Sequence, residues 1–248
     1  MSASGPSIAD DFSALLAETD ANGRWDVMTR GLARIGLDQI NYAFLDIETH
    51  DRMQARGSPA MSTMRSDWID HYVEHQYDLD DPLVDHVRAS GPGPVLFETA
   101  SHFGPSKVLG EASEAGLNAG VLISLPGAIG MSRPGAGIVF GSSMAANDTF
   151  RLIRENGPSL VALANLFHAG AVGELMRRRY GAAELSARER DCLQHVARGS
   201  RISAIAHDLM LAEVTVGMHL KNARKKLGAR SLPEAVARGL LFQQIEPI

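Results

Sequence analysis

Three side chains in the first third of the chain can together hold a small molecule by hydrogen bonds. In SDWIDHYVEHQYDLDDPLVDH, Trp68 and Tyr72 stand four residues apart, so they share one face of a helix expected over 66–77. Asp81 directly precedes Pro82, which holds the chain extended there. An indole N–H, a phenol and a carboxylate set among apolar residues suit a ligand that carries an amide and a carbonyl. The plainer alternative makes the two rings ordinary core aromatics and Asp81 the cap of the helix that follows. A second group lies near the C-terminus, on a helix expected over 214–227. There Lys221, Arg224, Lys225 and Lys226 fall outside the apolar stripe of Val216, Leu220, Ala223 and Leu227. Cations gathered on one helix face suit a polyanion such as DNA.

Other combinations are weaker. His71 and His75 are spaced i, i+4, but the HExxH arrangement is absent and the chain has one cysteine, Cys192. A solvated helix face is the expectation for these histidines, with no metal site and no cofactor. The stretch GAIGMSRPGAG is rich in glycine yet is not followed by a helix, which removes a phosphate-binding loop. No Ser/His/Asp set is spaced as a nucleophile constellation, so the chain is not expected to be an enzyme.

The elements that position these residues can be read from caps and periodicity. Ser186 with Glu189 is a capping box, so a helix should begin at Ala187 and close at Gly199. A short helix is expected over 202–209, with Ile202, Ile205, Ala206 and Leu209 on one face, and Pro233 marks the start of a fourth helix. Upstream, amphipathic helices are expected over 9–16 and 25–35, and a strand over 39–47. A short strand over 94–97, a helix over 107–115 and two central strands over 120–125 and 137–142 follow. A long helical stretch over 148–179 is broken by expectation near Gly157 and Pro158. The fold class is α+β: an N-terminal α/β/α sandwich with an antiparallel sheet, then an all-α helix-turn-helix unit of four helices.

At the residues LSARERDCLQHVARG and TVGMHLKNARKKLGA the C-terminal part resembles the helix-turn-helix domain of LuxR-type bacterial regulators. That resemblance implies that Thr215, His219, Lys221, Asn222, Arg224 and Lys225 meet the phosphates or base edges of a palindromic operator. It implies also a homodimer, with RNA polymerase as a further partner. Three departures stand out. Ala204 replaces a usual Glu, Met210 and Ala212 replace the Gly and Ser/Thr between helices two and three, and Gly217 stands where a base-reading side chain normally projects. The Trp68, Tyr72 and Asp81 spacing in turn resembles the acyl-homoserine lactone-binding domain of these regulators. By that resemblance Trp68 meets the lactone carbonyl, Tyr72 the acyl carbonyl and Asp81 the amide N–H of an N-acyl-homoserine lactone. Phe97 forms an apolar wall in place of a second Trp, and Ser142 or Ser143 offers a hydroxyl from the last strand. Ser124 replaces a usual proline. A regulator that answers another small molecule, or none, stays open.

Charge divides the chain. Residues from Leu175 onward hold 13 basic and 7 acidic side chains, a balance of +6, whereas those before hold 11 and 22, a balance of −11. Nucleic-acid binding is thus expected in the tail alone. The expected division is 1–176 for ligand binding, 177–183 for a linker and 184–248 for DNA binding. With no run of eighteen apolar residues and no signal-peptide pattern at MSASGPSIADDF, a cytoplasmic protein without membrane contact is expected.

Overall fold

The computed structural model describes residues 8–44, 60–89, 93–127 and 135–248. The tail of the expected first strand (45–47) and most of the glycine-rich hairpin loop (128–134) lie outside them. Two compact units are present, Met1–Gly170 and Ala171–Ile248.

The N-terminal unit is built on a five-stranded antiparallel sheet. Helices α1 (Ile8–Ala17) and α2 (Ala21–Arg34) precede strand β1 (Gln39–Phe44), and β2 (Met61–Ser62) adds a short edge strand that periodicity could not reveal. Helices α3 (Ser66–Glu74) and α4 (Pro82–Ala89) lead to β3 (Gly93–Glu98). Helix α5 (Lys107–Glu114), the central strands β4 (Ala119–Leu125) and β5 (Ala136–Ser142), and α6 (Ala146–Arg179) complete the order. The strands lie in the order β2-β1-β5-β4-β3. β4 is buried at every position, which explains its nearly unbroken apolar run.

Side chains alternate across the sheet, and the two faces bury different things. Phe97, Leu122 and Val139 join a cluster with Met64 and Trp68 of the α3 region, Leu83 and Val87 of α4, and Val108 and Leu109 of α5. On the other face Tyr42 meets Phe167 of α6 edge-on at 5.2 Å, and Phe167 meets Trp25 of α2 at 5.6 Å.

Helices α2, α3 and α6 differ from expectation. α2 starts at Ala21, four residues early, because Asp20 caps it by accepting the Asn22 and Gly23 N–H groups. α3 ends at Glu74 because Gln76 turns left-handed (φ 53°), and a single 3-10 turn over Tyr77–Leu79 follows. α6 runs unbroken through Gly157 and Pro158. Pro158 forfeits a hydrogen bond inside the helix. The stripe of Ile153, Leu160, Leu163, Ala164 and Phe167 buried along one side offsets that loss. Arg177–Arg179, expected at the start of a linker, form the last turn of α6, where cations complement the carbonyl end of a helix. Gly181 (φ 61°) and the Ala182 N–H, which donates to the Arg177 carbonyl, then close it.

One buried polar contact ties the second face together. His168 on α6 shares a hydrogen bond with the Tyr42 hydroxyl through Nδ1 (2.8 Å) and another with the Pro126 carbonyl. Burial pushes the imidazole down to about 4. The unfolded chain, with an ordinary value of 6.5, therefore takes up a proton first as pH falls. The stability this neutral ring contributes is present above pH 6.5 and is lost toward pH 4. Denaturant titrations of the chain should show a loss of roughly 2 kcal/mol from this group between pH 7.5 and 5, and His168→Gln should flatten that slope. An unchanged slope in the variant would assign the acid sensitivity to other groups.

The C-terminal unit holds α7 (Ala187–Ala197), α8 (Ile202–Leu209), α9 (Glu213–Lys226) and α10 (Leu232–Leu241). The capping box is formed: the Ser186 N–H donates to Glu189 Oε2 at 2.8 Å and the Glu189 N–H donates to Ser186 Oγ at 3.4 Å. Lys226 Nζ donates to the same carboxylate at 2.7 Å. Burial alone would raise the Glu189 carboxyl, but Lys226 and the Ser186 groups hold it below its ordinary value. Val216, Leu220, Ala223 and Leu227 are buried as the stripe requires, and Cys192 is fully buried. Ile202 departs from its expected place. It is 44% exposed, since it occupies the first turn of a short helix whose contacts come from Ile205 and Ala206.

Candidate functional site

The residues singled out in the N-terminal unit converge around one carboxylate. Asp81 sits just before α4 and is buried. The Leu83 N–H donates to Oδ1 at 2.9 Å, so Asp81 does cap the helix, and the Tyr72 hydroxyl donates to Oδ2 at 2.8 Å. A carboxylate has about four lone-pair positions. With the Val84 N–H also directed at this carboxylate, capacity for one more donor remains. Burial pushes the Asp81 carboxyl above its usual range, although the Leu83, Tyr72 and Val84 donors pull against it. Burial and the neighbouring Asp81 charge also raise the Tyr72 phenol, which stays un-ionised and able to donate.

Apolar and aromatic groups surround this pair. The Trp68 ring lies 6.1 Å from Tyr72 and 6.2 Å from Tyr77, centre to centre. Phe97 is fully buried in the same cluster. Gly120 makes room for it: a Cβ there would meet the Phe140 carbonyl at 2.7 Å and the Phe97 ring at 3.2 Å. Trp68, Tyr72, Asp81 and Phe97 are thus brought to one side of the sheet.

Ser142 is not. Val139 faces the Trp68 cluster, and period-two alternation sends Ser142, three positions on, to the opposite face with Ile138 and Phe140. There its Oγ accepts the Met144 N–H at 3.1 Å. The buried hydroxyl that alternation places on the cluster side is Ser124, two residues after Leu122. That pairing was readable from the strand period once one residue of the face was known. Two further groups had no local signal. Glu111 on α5 accepts the Tyr77 hydroxyl at 2.8 Å and lies 2.9 Å from His71 Nε2. Tyr77's hydrogen bond holds that carboxyl below its ordinary value. His71, expected to face solvent, therefore links α3 to α5, and its ring lies 4.0 Å from that of His75, centre to centre, tilted by 39°. A cleft of about 540 Å³ lies on the sheet's other face, lined by Leu96, Val121, Ile123 and Leu160, and contains none of the site residues.

In the C-terminal unit α9 bears all six residues assigned to DNA. Lys221, Asn222, Arg224 and Lys225 are exposed, while Thr215 and His219 are half-buried. Among the described residues Lys221, Arg224 and Lys225 have no carboxylate partner; Lys226 is held by Glu189. The turn into α9 shows the effect of its substitutions. Met210 takes the left-handed conformation (φ 54°, ψ 48°) at the end of α8, and Ala212 gives α9 no side-chain cap. A left-handed non-glycine residue costs about 1 kcal/mol. Met210→Gly should accordingly raise unfolding free energy by about 1 kcal/mol in denaturant titration; a decrease would show that the methionine side chain contributes packing.

Family comparisons agree with this division of labour. Residues 20–171 match the model of the autoinducer binding domain, and residues 183–238 match that of the bacterial regulatory proteins of the luxR family. The transcriptional activator protein SolR of Ralstonia nicotianae is 24% identical over 238 residues, 95% of this chain and 98% of that one. The transcriptional activator protein VanR of Vibrio anguillarum is 30% identical over 199 residues, 73% of this chain and 74% of the relative. Among solved structures, the N-acylhomoserine lactone-dependent LuxR-family transcription factor CepR2 of Burkholderia cenocepacia covers 68% of this chain and 95% of its own, with a TM-score of 0.54 and 18% identity. SdiA of Escherichia coli covers 97% and 98%, with a TM-score of 0.53 and 19% identity. At those identities the structures establish the fold. The two family models, which together span most of the chain, establish the rest: it belongs to the LuxR family of bacterial regulatory proteins, a ligand-responsive DNA-binding regulator with an N-terminal autoinducer-binding domain.

Proposed function

We propose that this regulator senses an N-acyl-homoserine lactone in quorum sensing and acts in the cytoplasm as a homodimer on a palindromic operator, without catalysis of its own. The observation that carries the reading is the buried Asp81 carboxylate, bonded by Tyr72, which itself packs against the cluster that holds Trp68 and Phe97. In this role Asp81 accepts the ligand's amide N–H, Tyr72 turns its hydroxyl to the acyl carbonyl, and the Trp68 indole serves the lactone carbonyl. Phe97 walls the acyl chain. Ser124 takes the place first given to Ser142, since it shares their side of the sheet. The sensing domain ends within α6, the DNA-binding domain starts near Glu184, and α9 enters the major groove. RNA polymerase is the partner through which such a complex would act.

Extraction and mass spectrometry of protein expressed with and without a panel of acyl-homoserine lactones tests this. One lactone recovered one-to-one, with a higher soluble yield, is the expected result. Soluble protein with no bound lactone in either culture would overturn it. A second reading within the family rests on Phe97 and Ser124. The first supplies no hydrogen-bond donor and the second places a hydroxyl on β4, a combination suited to a different small molecule. Recovery of a non-lactone compound would favour it.

A further inference from the structure

The exposed face of α9 is not basic throughout. Val214 and Met218 are 81% and 52% exposed, and Met210, in the turn just before, is 91% exposed. Val214, Met218, Lys221 and Lys225 succeed one another at spacings of four, three and four, so they form one stripe of the helix. The apolar end of the stripe is its N-terminal end, and the cationic end is C-terminal. Gly217 lies inside the apolar end. A Cβ added there would meet nothing within 4 Å. The fold therefore does not require a glycine at this position, although glycine within a helix costs about 1 kcal/mol relative to alanine. A glycine that the fold does not need is explained where another molecule's surface approaches the backbone closely.

A recognition helix lays its N-terminal residues against base edges. Val214 offers no hydrogen bond to guanine, cytosine or adenine there, and the Met218 thioether is only a weak acceptor. Covering those polar edges with aliphatic groups would leave them unpaired. The one apolar group a base pair presents in the major groove is the C5-methyl of thymine. We infer that Val214 and Met218 read thymine methyl groups in the operator half-site, with Gly217 admitting the base pairs close to the helix backbone. Sequence preference then comes from methyl contact, while Lys221, Arg224 and Lys225 hold phosphates. The cations at the other end of the same stripe favour DNA over a protein surface as the occupant. This inference rests on the DNA-binding reading of α9.

The test uses the full chain expressed with the lactone panel. Bound duplexes are selected from a randomised library, and each thymidine of the enriched half-site is replaced in turn by deoxyuridine, which removes only the methyl group. At one or two positions affinity at fixed salt should fall about fourfold each, the value of one buried methyl group. That sensitivity should vanish in Val214→Ala with Met218→Ala, two exposed positions whose truncation leaves the core intact. Deoxyuridine operators bound as tightly as thymidine ones overturn the inference. So does an unchanged preference in the double variant, which would leave the patch to a protein partner. Salt-sensitive binding with no enriched sequence also overturns it while leaving DNA binding in place. Absence of any DNA binding overturns the parent reading instead.

Discussion

Asp81→Asn should weaken binding of the lactone recovered from the wild-type chain by about 10- to 150-fold, while the ligand-free protein becomes more stable. The first half follows from the acceptor. A hydrogen bond to a buried charged group is worth about 1.5–3 kcal/mol, and the asparagine amide would present a donor where the ligand's own N–H needs an acceptor. The second half follows from burial. The Asp81 carboxyl is raised in the folded chain, so the unfolded chain ionises first as pH rises and stability falls past the ordinary aspartate range. Burial of the carboxylate thus works against folding until a ligand donor joins those of Tyr72, Leu83 and Val84. Asparagine keeps the shape. Its oxygen can accept the Leu83 N–H, its nitrogen can donate to the Tyr72 oxygen, and it caps helices as well as aspartate does. The helix-dipole attraction lost with the charge is about 0.3–1 kcal/mol. Isothermal titration measures the affinity and thermal denaturation the stability. Wild-type affinity in Asp81→Asn would remove Asp81 from the ligand contacts, and lower ligand-free stability would mean that the charge at the α4 cap outweighs its burial.

What was legible beforehand depended on whether the determinant was local. The C-terminal unit is read almost residue by residue, because a capping box, an apolar stripe and the glycine at 199 act within one or two turns of chain. Trp68, Tyr72 and Asp81 were legible as a group because a helical repeat and an Asp-Pro junction place them near one another. The other half of the site comes from distant elements. Glu111 reaches His71 across forty residues of sequence, and which of Ser124 and Ser142 faces Trp68 is decided by the phase of strands β4 and β5. A strand's period is visible in sequence, but its phase is set by what packs on each side. The continuity of α6 through Pro158 was hidden for a similar reason: a local breaker is overruled by apolar contacts along the helix's buried side.

Lys221→Ala combined with Arg224→Ala should flatten the salt dependence of operator binding. Each phosphate contact contributes about −0.9 to the slope of log affinity against log salt. Two lost contacts make the slope shallower by about 1.8, so the wild-type advantage should shrink about twelvefold between 50 and 200 mM salt. The geometry sets a built-in control. Lys226 follows directly in sequence and carries the same charge, yet its Nζ lies 2.7 Å from Glu189, a carboxylate with 6% side-chain exposure. Removing Lys226 strands that buried charge and loosens the junction of α7 with α9, so Lys226→Ala should lower the melting temperature and leave the slope nearly unchanged. Lys221 and Arg224 have no such partner among the described residues, and their loss should leave the melting temperature close to that of the wild type. Fluorescence anisotropy across a salt series, paired with thermal melts of the same three proteins, separates the two roles. A slope that moves with Lys226 and not with Lys221 and Arg224 would mean that a different face of α9 meets the phosphates, and the methyl-reading stripe would go with it.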